Sequence, residues 1–195
     1  MLYNRRRGLY HVSHHNHASF FMDNIEVYAA LKDIARGQAR FYDPAALATE
    51  ARAELLAVAI QRSFWDRRAQ RFRPYLEKTP PAFYPDVVAQ VYPWLANLTV
   101  QDQDPRQAWD RWKQMFGAGW IARRYDVFPW GLVALAAEKL GDDATAACWI
   151  SKSDRLRGSA SWNVLEEAAW QALRAHFAQT PDAGSHACAE LVARR

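Results

Sequence analysis

The stretch SFFMDNIEVYAAL, residues 19–31, marks the point where an aromatic-rich segment becomes a helix. Its apolar residues Ile25, Tyr28 and Leu31 recur at the spacing of one helix face, which predicts a helix over 24–38. The pair Asp23 and Glu26 has the D-x-x-E spacing of a capping box. Carboxylates are also groups that carry out acid–base chemistry, so the stretch leaves both roles open for this pair.

Helical periodicity continues along the chain and predicts an all-α protein. Asp43-Pro44 and Asp104-Pro105 each combine an N-cap aspartate with a proline at the first helical position. Helices are predicted, in chain order, over 24–38, 43–65, 85–98, 105–116, 129–140, 142–154, 162–178 and 182–193, the third bent near Pro93. An irregular turn or short hairpin is predicted over 65–77, and a loop over 117–130.

Pairs of helices alternate with long aromatic loops. This order predicts stacked antiparallel helical hairpins, each of which covers its neighbour's apolar face. The prediction is a single helical domain over 1–195, in which residues 1–18 form a poorly defined N-terminal segment.

The composition excludes several classes of protein. The 195 residues are half hydrophobic and carry a formal charge of +4, without a continuous basic stripe or a glycine-rich phosphate loop. No run approaches the ~18 apolar residues of a membrane span, and no signal-peptide core is visible. We therefore expect no nucleic-acid partner, no membrane partner and no cofactor, with the cytoplasm as the default location.

The cysteines and histidines are the residues of this chain that could hold a transition metal. Cys148 and Cys188 lack any metal-ligand spacing, and a reduced pair is the simpler interpretation, with a disulfide as the alternative. HVSHHNH, residues 11–17, is dense in imidazole, which is a zinc ligand. No companion cysteine motif accompanies it, so we predict no metal site and favour a solvated or cleft-lining loop.

Acidic and aromatic residues recur at the entrances of the helices that follow the long loops. If the hairpins stack in parallel, these entrances meet on one face, where carboxylates can divide acid and base roles and rings can stack on sugars. The candidate catalytic residues are Asp23, Asp86 and Asp126. The candidate substrate-binding residues are His17, Asn24, Glu26, Tyr84, Gln90, Tyr125, Trp130, Trp162 and Glu166. Each acid has an alternative role as a helix cap.

Four segments together resemble the six-hairpin glycosidases, the (α/α)6-toroid enzymes. They are MDNIEVYAALKDIA (22–35), AIQRSFWDRRAQRFRPY (59–75), FYPDVVAQVYPWLANL (83–98) and WNVLEEAAWQALRAHF (162–177). In that superfamily the inner helices start at a funnel whose rim carries acidic residues and sugar-stacking aromatics. The resemblance implies a glycoside hydrolase that acts on a poly- or oligosaccharide, with Asp23, Asp86 and Asp126 among the rim acids.

The chain supplies only about half to two-thirds of such a ring of helical hairpins. The resemblance therefore implies a portion of a larger toroid, or a half-ring whose exposed apolar edges are covered by a second copy or a missing partner segment.

An inverting hydrolase needs carboxyl groups about 6.5–9.5 Å apart, which favours Asp23 with Asp86 or Asp126 over Asp23 with Glu26.

Two other functions are compatible with the same residues. Sugar epimerisation or uronate lysis on the same fold would instead use His17, Tyr84 or Tyr125 for proton transfer. A non-catalytic helical interaction module would use the entrance acids only as caps.

Overall fold

The computed structural model describes residues 2–77, 80–100, 103–178 and Cys188. Helices dominate these residues, and the strands within them are confined to two short two-stranded hairpins. The prediction of an all-α protein is therefore confirmed. The chain divides into two compact units, residues 1–101 and residues 102–195. No helix within the described ranges is long and apolar enough to cross a bilayer.

The first unit is built on a helical hairpin. Its elements are β1 (Tyr3–Asn4), β2 (Leu9–Tyr10), α1 (Phe21–Arg40), α2 (Ala46–Phe64), β3 (Trp65–Asp66), β4 (Arg71–Phe72) and α3 (Tyr92–Leu95). The two long helices pack against each other, and their core includes Phe21, which stacks on Phe72 with ring centroids 4.4 Å apart. The hairpin predicted within 65–77 is confirmed by the pairing of β3 with β4.

The third helix predicted over 85–98 is not a regular α-helix, so this prediction is wrong in part. A π-helical turn at Phe83–Val87 and a 3₁₀ turn at Val88–Val91 precede the short α3. Tyr84 is extended, as residues before a proline usually are, and Pro85 and Pro93 each remove one backbone donor. The irregularity therefore starts well before Pro93.

The second unit contains five α-helices among its described residues. They are α4 (Pro105–Trp112), α5 (Ala118–Ile121), α6 (Gly131–Lys139), α7 (Asp143–Ser153) and α8 (Val164–Phe177). The loop predicted from residue 117 is wrong at its start, because helical structure continues to Ile121. Gly119 lies inside this helix beneath the Tyr125 ring, which a Cβ at Gly119 would approach to 2.3 Å. This glycine serves close packing rather than a turn.

A disulfide joins Cys148 of α7 to Cys188. The interpretation of these residues as a reduced pair is therefore wrong. The partners are 40 residues apart, so no local pattern around either cysteine reports the pairing. The rest of the predicted helix 182–193 lies outside the described residues.

Candidate functional site

The start of α1 packs against the segment that follows β4. The backbone N–H of Phe21 donates to the carbonyl of Pro74 at 3.0 Å, and the rings of Phe20 and Tyr75 meet edge to face with centroids 5.2 Å apart. These contacts hold the first turns of α1, which carry Asp23 and Glu26, beside an aromatic segment of the first unit.

Two carboxylates and three tyrosines interact electrostatically at this place. Burial raises the pKa of Asp23, and burial together with the charge of Asp23 raises the pKa of Glu26. Burial, Tyr75 and the two carboxylates raise the pKa of Tyr84. Burial, Glu26, Tyr84 and Asp23 raise the pKa of Tyr92 to about 12. We refer to Asp23, Glu26, Tyr75, Tyr84 and Tyr92 as the acid–tyrosine cluster.

The capping box predicted for Asp23 and Glu26 is wrong. The helix begins at Phe21, and the N-cap residue Phe20 makes no side-chain capping bond. Asp23 therefore lies inside the first turn, partly buried, rather than ahead of the helix. The boundary was misplaced because Phe21 and Met22 already belong to the helix.

Asn24 has a structural role that the sequence did not reveal. Its side chain is fully buried, its Oδ1 accepts the N–H of Tyr10 at 2.7 Å, and its Nδ2 donates to the carbonyls of Phe20 and Tyr10. The amide thus ties β2 to the start of α1. Because this amide is buried and bonds the backbone, we leave Asn24 out of the proposed site, and its contact with substrate stays a prediction.

The side-chain amide of Gln90 also hydrogen-bonds to the backbone. Its Oε1 accepts the N–H of Phe72 at 2.9 Å, while its Nε2 donates to the carbonyls of Phe72 and Asp86, both at 2.8 Å. Asp86 itself accepts the N–H of Ala82 at 3.0 Å. The amide of Gln90 extends the β3–β4 hairpin, so we leave it out of the proposed site, and Asp86 stays a candidate.

The histidine-rich loop is an ordered turn. His17 stacks on His11 with ring centroids 5.1 Å apart, and its Nε2 lies 3.2 Å from the carbonyl of His14. Ser13 Oγ accepts the N–H groups of His15 and Asn16. In the described ranges, no group of three or more His, Cys, Asp or Glu residues is arranged to hold a metal ion. A substrate contact by His17 stays a prediction.

In the second unit, Asp126 supports a turn rather than a helix end. Its Oδ1 accepts the N–H of Phe128 at 3.1 Å, whereas the N-cap of α6 is Trp130 in a left-handed conformation. Tyr125 lies over Gly119, as described above, and meets Phe116 edge to face. The prediction that Asp126 caps the helix entrance is therefore wrong, and its catalytic role stays a prediction.

Glu166 is buried and caps a different helix. Its side chain is only 1% exposed, and its Oε2 accepts the N–H of Gly131, the first residue of α6, at 2.7 Å. The backbone of Trp130 also bonds this carboxylate, while burial raises its pKa. Because the side chain lies in the protein interior, we leave Glu166 out of the proposed site, and its contact with substrate stays a prediction.

Trp162 belongs to a polar network that the sequence did not predict. Its Nε1 donates to Glu167 Oε2 at 2.8 Å, and its ring stacks on Trp149. Arg157 binds both oxygens of Glu167, at 2.8 and 3.1 Å, and lies over the Trp170 ring at 3.9 Å. Hydrogen bonds, first from Arg157, lower the pKa of Glu167 to about 2. Within this network, the spacing of Glu167 and Gln171, four residues apart on α8, is the kind of local pattern that a sequence can reveal.

Asp23 and Asp86 belong to the first unit, whereas Asp126 and Trp162 belong to the second. The prediction that all helix entrances share one cleft stays a prediction. Comparisons with protein-family models, curated proteins and solved structures found no match for this chain. The resemblance to the six-hairpin glycosidases likewise stays a prediction.

Proposed function

We propose that this protein acts on carbohydrate, as a glycoside hydrolase or as part of one, through the acid–tyrosine cluster of its first unit. The observation that carries the proposal is the pair of carboxylates with raised pKa, Asp23 and Glu26, which interact electrostatically with Tyr84 and Tyr92. The resemblance of residues 22–35 and 83–98 to six-hairpin glycosidases supports the same function.

Asp23 and Glu26 lie one turn apart on the same helix. They stand three residues apart on α1, where Cβ atoms are about 5–6 Å apart. Retaining glycosidases hold their two carboxyl groups about 5–5.5 Å apart, a separation that side chains at this spacing can reach. Burial raises the pKa of both carboxyls, which favours the protonated form that a general acid needs. We therefore propose Asp23 and Glu26 as the reacting pair, and Asp86 as the alternative partner of Asp23.

The tyrosines suit sugar binding better than proton abstraction. Their rings offer flat apolar faces for a pyranose, and their hydroxyls can bond its polar edge. The raised pKa of Tyr84, and that of Tyr92 at about 12, keeps both hydroxyls protonated near neutral pH. This argues against Tyr84 as the base of an epimerase or a uronate lyase.

A second candidate function is a non-catalytic helical interaction module. It is favoured by the side chains of Asn24, Gln90 and Glu166, which were expected near substrate and instead bond the backbone. Caps and ties of this kind stabilise a fold without any chemistry.

Turnover of a panel of soluble poly- and oligosaccharides tests the proposal. We expect newly released reducing ends, and products whose mass shows addition of water rather than an unsaturated end. Asp33→Asn is the matched control, because Asp33 lies on α1 and pairs only with nearby Arg36 among its described ion pairs. Saturable sugar binding without turnover by the folded protein would favour the interaction module. A folded protein that neither binds nor cleaves any sugar of the panel would refute both the hydrolase and a sugar-binding module.

A further inference from the structure

The helix α2 carries a second apolar face, opposite the one that enters the core. Leu47, Leu55 and Val58 are 83%, 68% and 63% exposed, whereas Leu56 and Ile60 on the other face are buried. With exposed Ala51, the outward residues follow the i, i+4, i+8, i+11 spacing of one helix face.

The link between α1 and α2 adds two exposed aromatic side chains. Phe41 and Tyr42 are 81% and 95% exposed, within five residues of the start of α2. We call Phe41, Tyr42, Leu47, Ala51, Leu55 and Val58 the α2 stripe. Soluble monomers rarely expose contiguous apolar patches larger than a few hundred Å².

We propose that the α2 stripe is the interface of a symmetric dimer, in which the α2 helices of two copies cross at Ala51. The proposal does not depend on the carbohydrate chemistry of the acid–tyrosine cluster.

The area of the stripe fits a second copy. Its five large side chains present on the order of 700 Å², close to the roughly 800 Å² that each partner contributes to a standard interface. A twofold interface uses the same patch on both copies, so one such stripe per chain is sufficient.

The order of residue sizes along the stripe fits a crossing at Ala51. Leu47, Ala51 and Leu55 form one i±4 row, with the smallest side chain in the middle. Helices approach to about 8–10 Å where the side chains at the crossing point are small, and larger residues then interlock on either side. Here Leu47 and Leu55 are the larger residues that flank the crossing point.

The charges at one edge of the stripe are already paired within each copy. Lys32 of α1 forms ion pairs with Glu50 and, at 2.9 Å, with Glu54. Each copy therefore brings partly neutralised carboxylates to the interface, which lowers the like-charge repulsion between the copies.

Oligomeric state measured by analytical ultracentrifugation over roughly 1–200 µM tests the proposal. We expect a concentration-dependent dimer for the full chain, and Leu55→Glu to raise its dissociation constant at least about 100-fold. Val127→Glu is the control, because Val127 is as exposed but lies in the second unit. A monomer throughout this range, or a Leu55→Glu dimer as tight as that of the full chain, would overturn the proposal.

A crosslink provides a test that does not depend on how Leu55→Glu folds. A residue on a twofold axis meets its own copy, so Ala51→Cys should form an interchain disulfide under mild oxidation. Arg68→Cys, in the exposed turn between β3 and β4, should not. Failure of Ala51→Cys to crosslink in a folded dimer would place the interface elsewhere and refute the crossing at Ala51.

Discussion

The carboxylate of Glu166 on α8 caps α6, because its Oε2 accepts the backbone N–H of Gly131 at 2.7 Å. Helix caps are usually local, whereas this one comes from 35 residues further along the chain. It fixes α8 against the start of α6 and places a buried acid in the core of the second unit. The packing of both helices around Gly131 therefore depends on the hydrogen bonds to Glu166 and on the absence of a side chain at Gly131.

Removing this acceptor should destabilise the protein strongly. Glu166→Ala leaves the buried N–H of Gly131 without its bond and opens a cavity, which we expect to cost about 2–4 kcal/mol. Glu166→Gln keeps an acceptor oxygen and should cost less. Urea denaturation followed by tryptophan fluorescence measures both, with the exposed Glu77→Ala as control. A Glu166→Ala variant as stable as that control would show that the cap is unimportant.

Adding a methyl group at Gly131 should also destabilise the fold. Its Cβ would lie 2.6 Å from the Cβ of Ala169, so we expect Gly131→Ala to cost about 1–3 kcal/mol. Gly37 is the matched control, because nothing lies within 4 Å of a Cβ built there in α1. Gly37→Ala should raise stability by about 0.5–1 kcal/mol. Equal effects of the two substitutions on the melting temperature would contradict the packing described here.

Because of the disulfide between Cys148 and Cys188, the unreduced protein should contain no free thiol. Alkylation of the unfolded, unreduced protein should add no label, and prior reduction should add two, one at each of these cysteines. Because the bond closes a loop of 40 residues, the double substitution Cys148→Ser, Cys188→Ser should cost about 4 kcal/mol in the chain-entropy picture. Two labels without reduction would restore the reduced pair that the sequence alone favours.

Neutralising the cluster acids should stabilise the protein at neutral pH. Asp23 and Glu26 have raised pKa values in the folded state, so the native protein holds these protons more tightly than the unfolded chain. The free energy of unfolding that they contribute therefore falls as pH rises through their titration.

Asp23→Asn should then gain less than about 1 kcal/mol at pH 7, since water screens this partly exposed site. The gain should vanish below about pH 3, where the carboxyl is protonated in both the folded and the unfolded state. Denaturant titrations at a series of pH values measure this difference. A variant that loses stability at pH 7 and recovers it in acid would reverse the sign and contradict the raised pKa.

Local signals explain what could be predicted from the sequence. Periodicity predicted the helices around α1 and α2, and the caps Asp104 and Asn163 each accept N–H bonds at the start of their helices. The missed features depend on partners distant in sequence. Examples are the cap from Glu166, the disulfide of Cys148 and the hydrogen bonds of Gln90 to the backbone of Phe72. The capping box at Asp23 failed for a local reason, because the helix already begins at Phe21.

The most direct measurement is the rate of glycosidic bond hydrolysis by the protein beside Asp23→Asn, Glu26→Gln and the control Asp33→Asn. If the acid–tyrosine cluster supplies the reacting pair, the first two should lose at least about 100-fold in kcat/KM on any substrate that the protein cleaves. The control should keep its activity. Full activity in Asp23→Asn and Glu26→Gln, or a folded protein that hydrolyses no sugar, would contradict the proposed site.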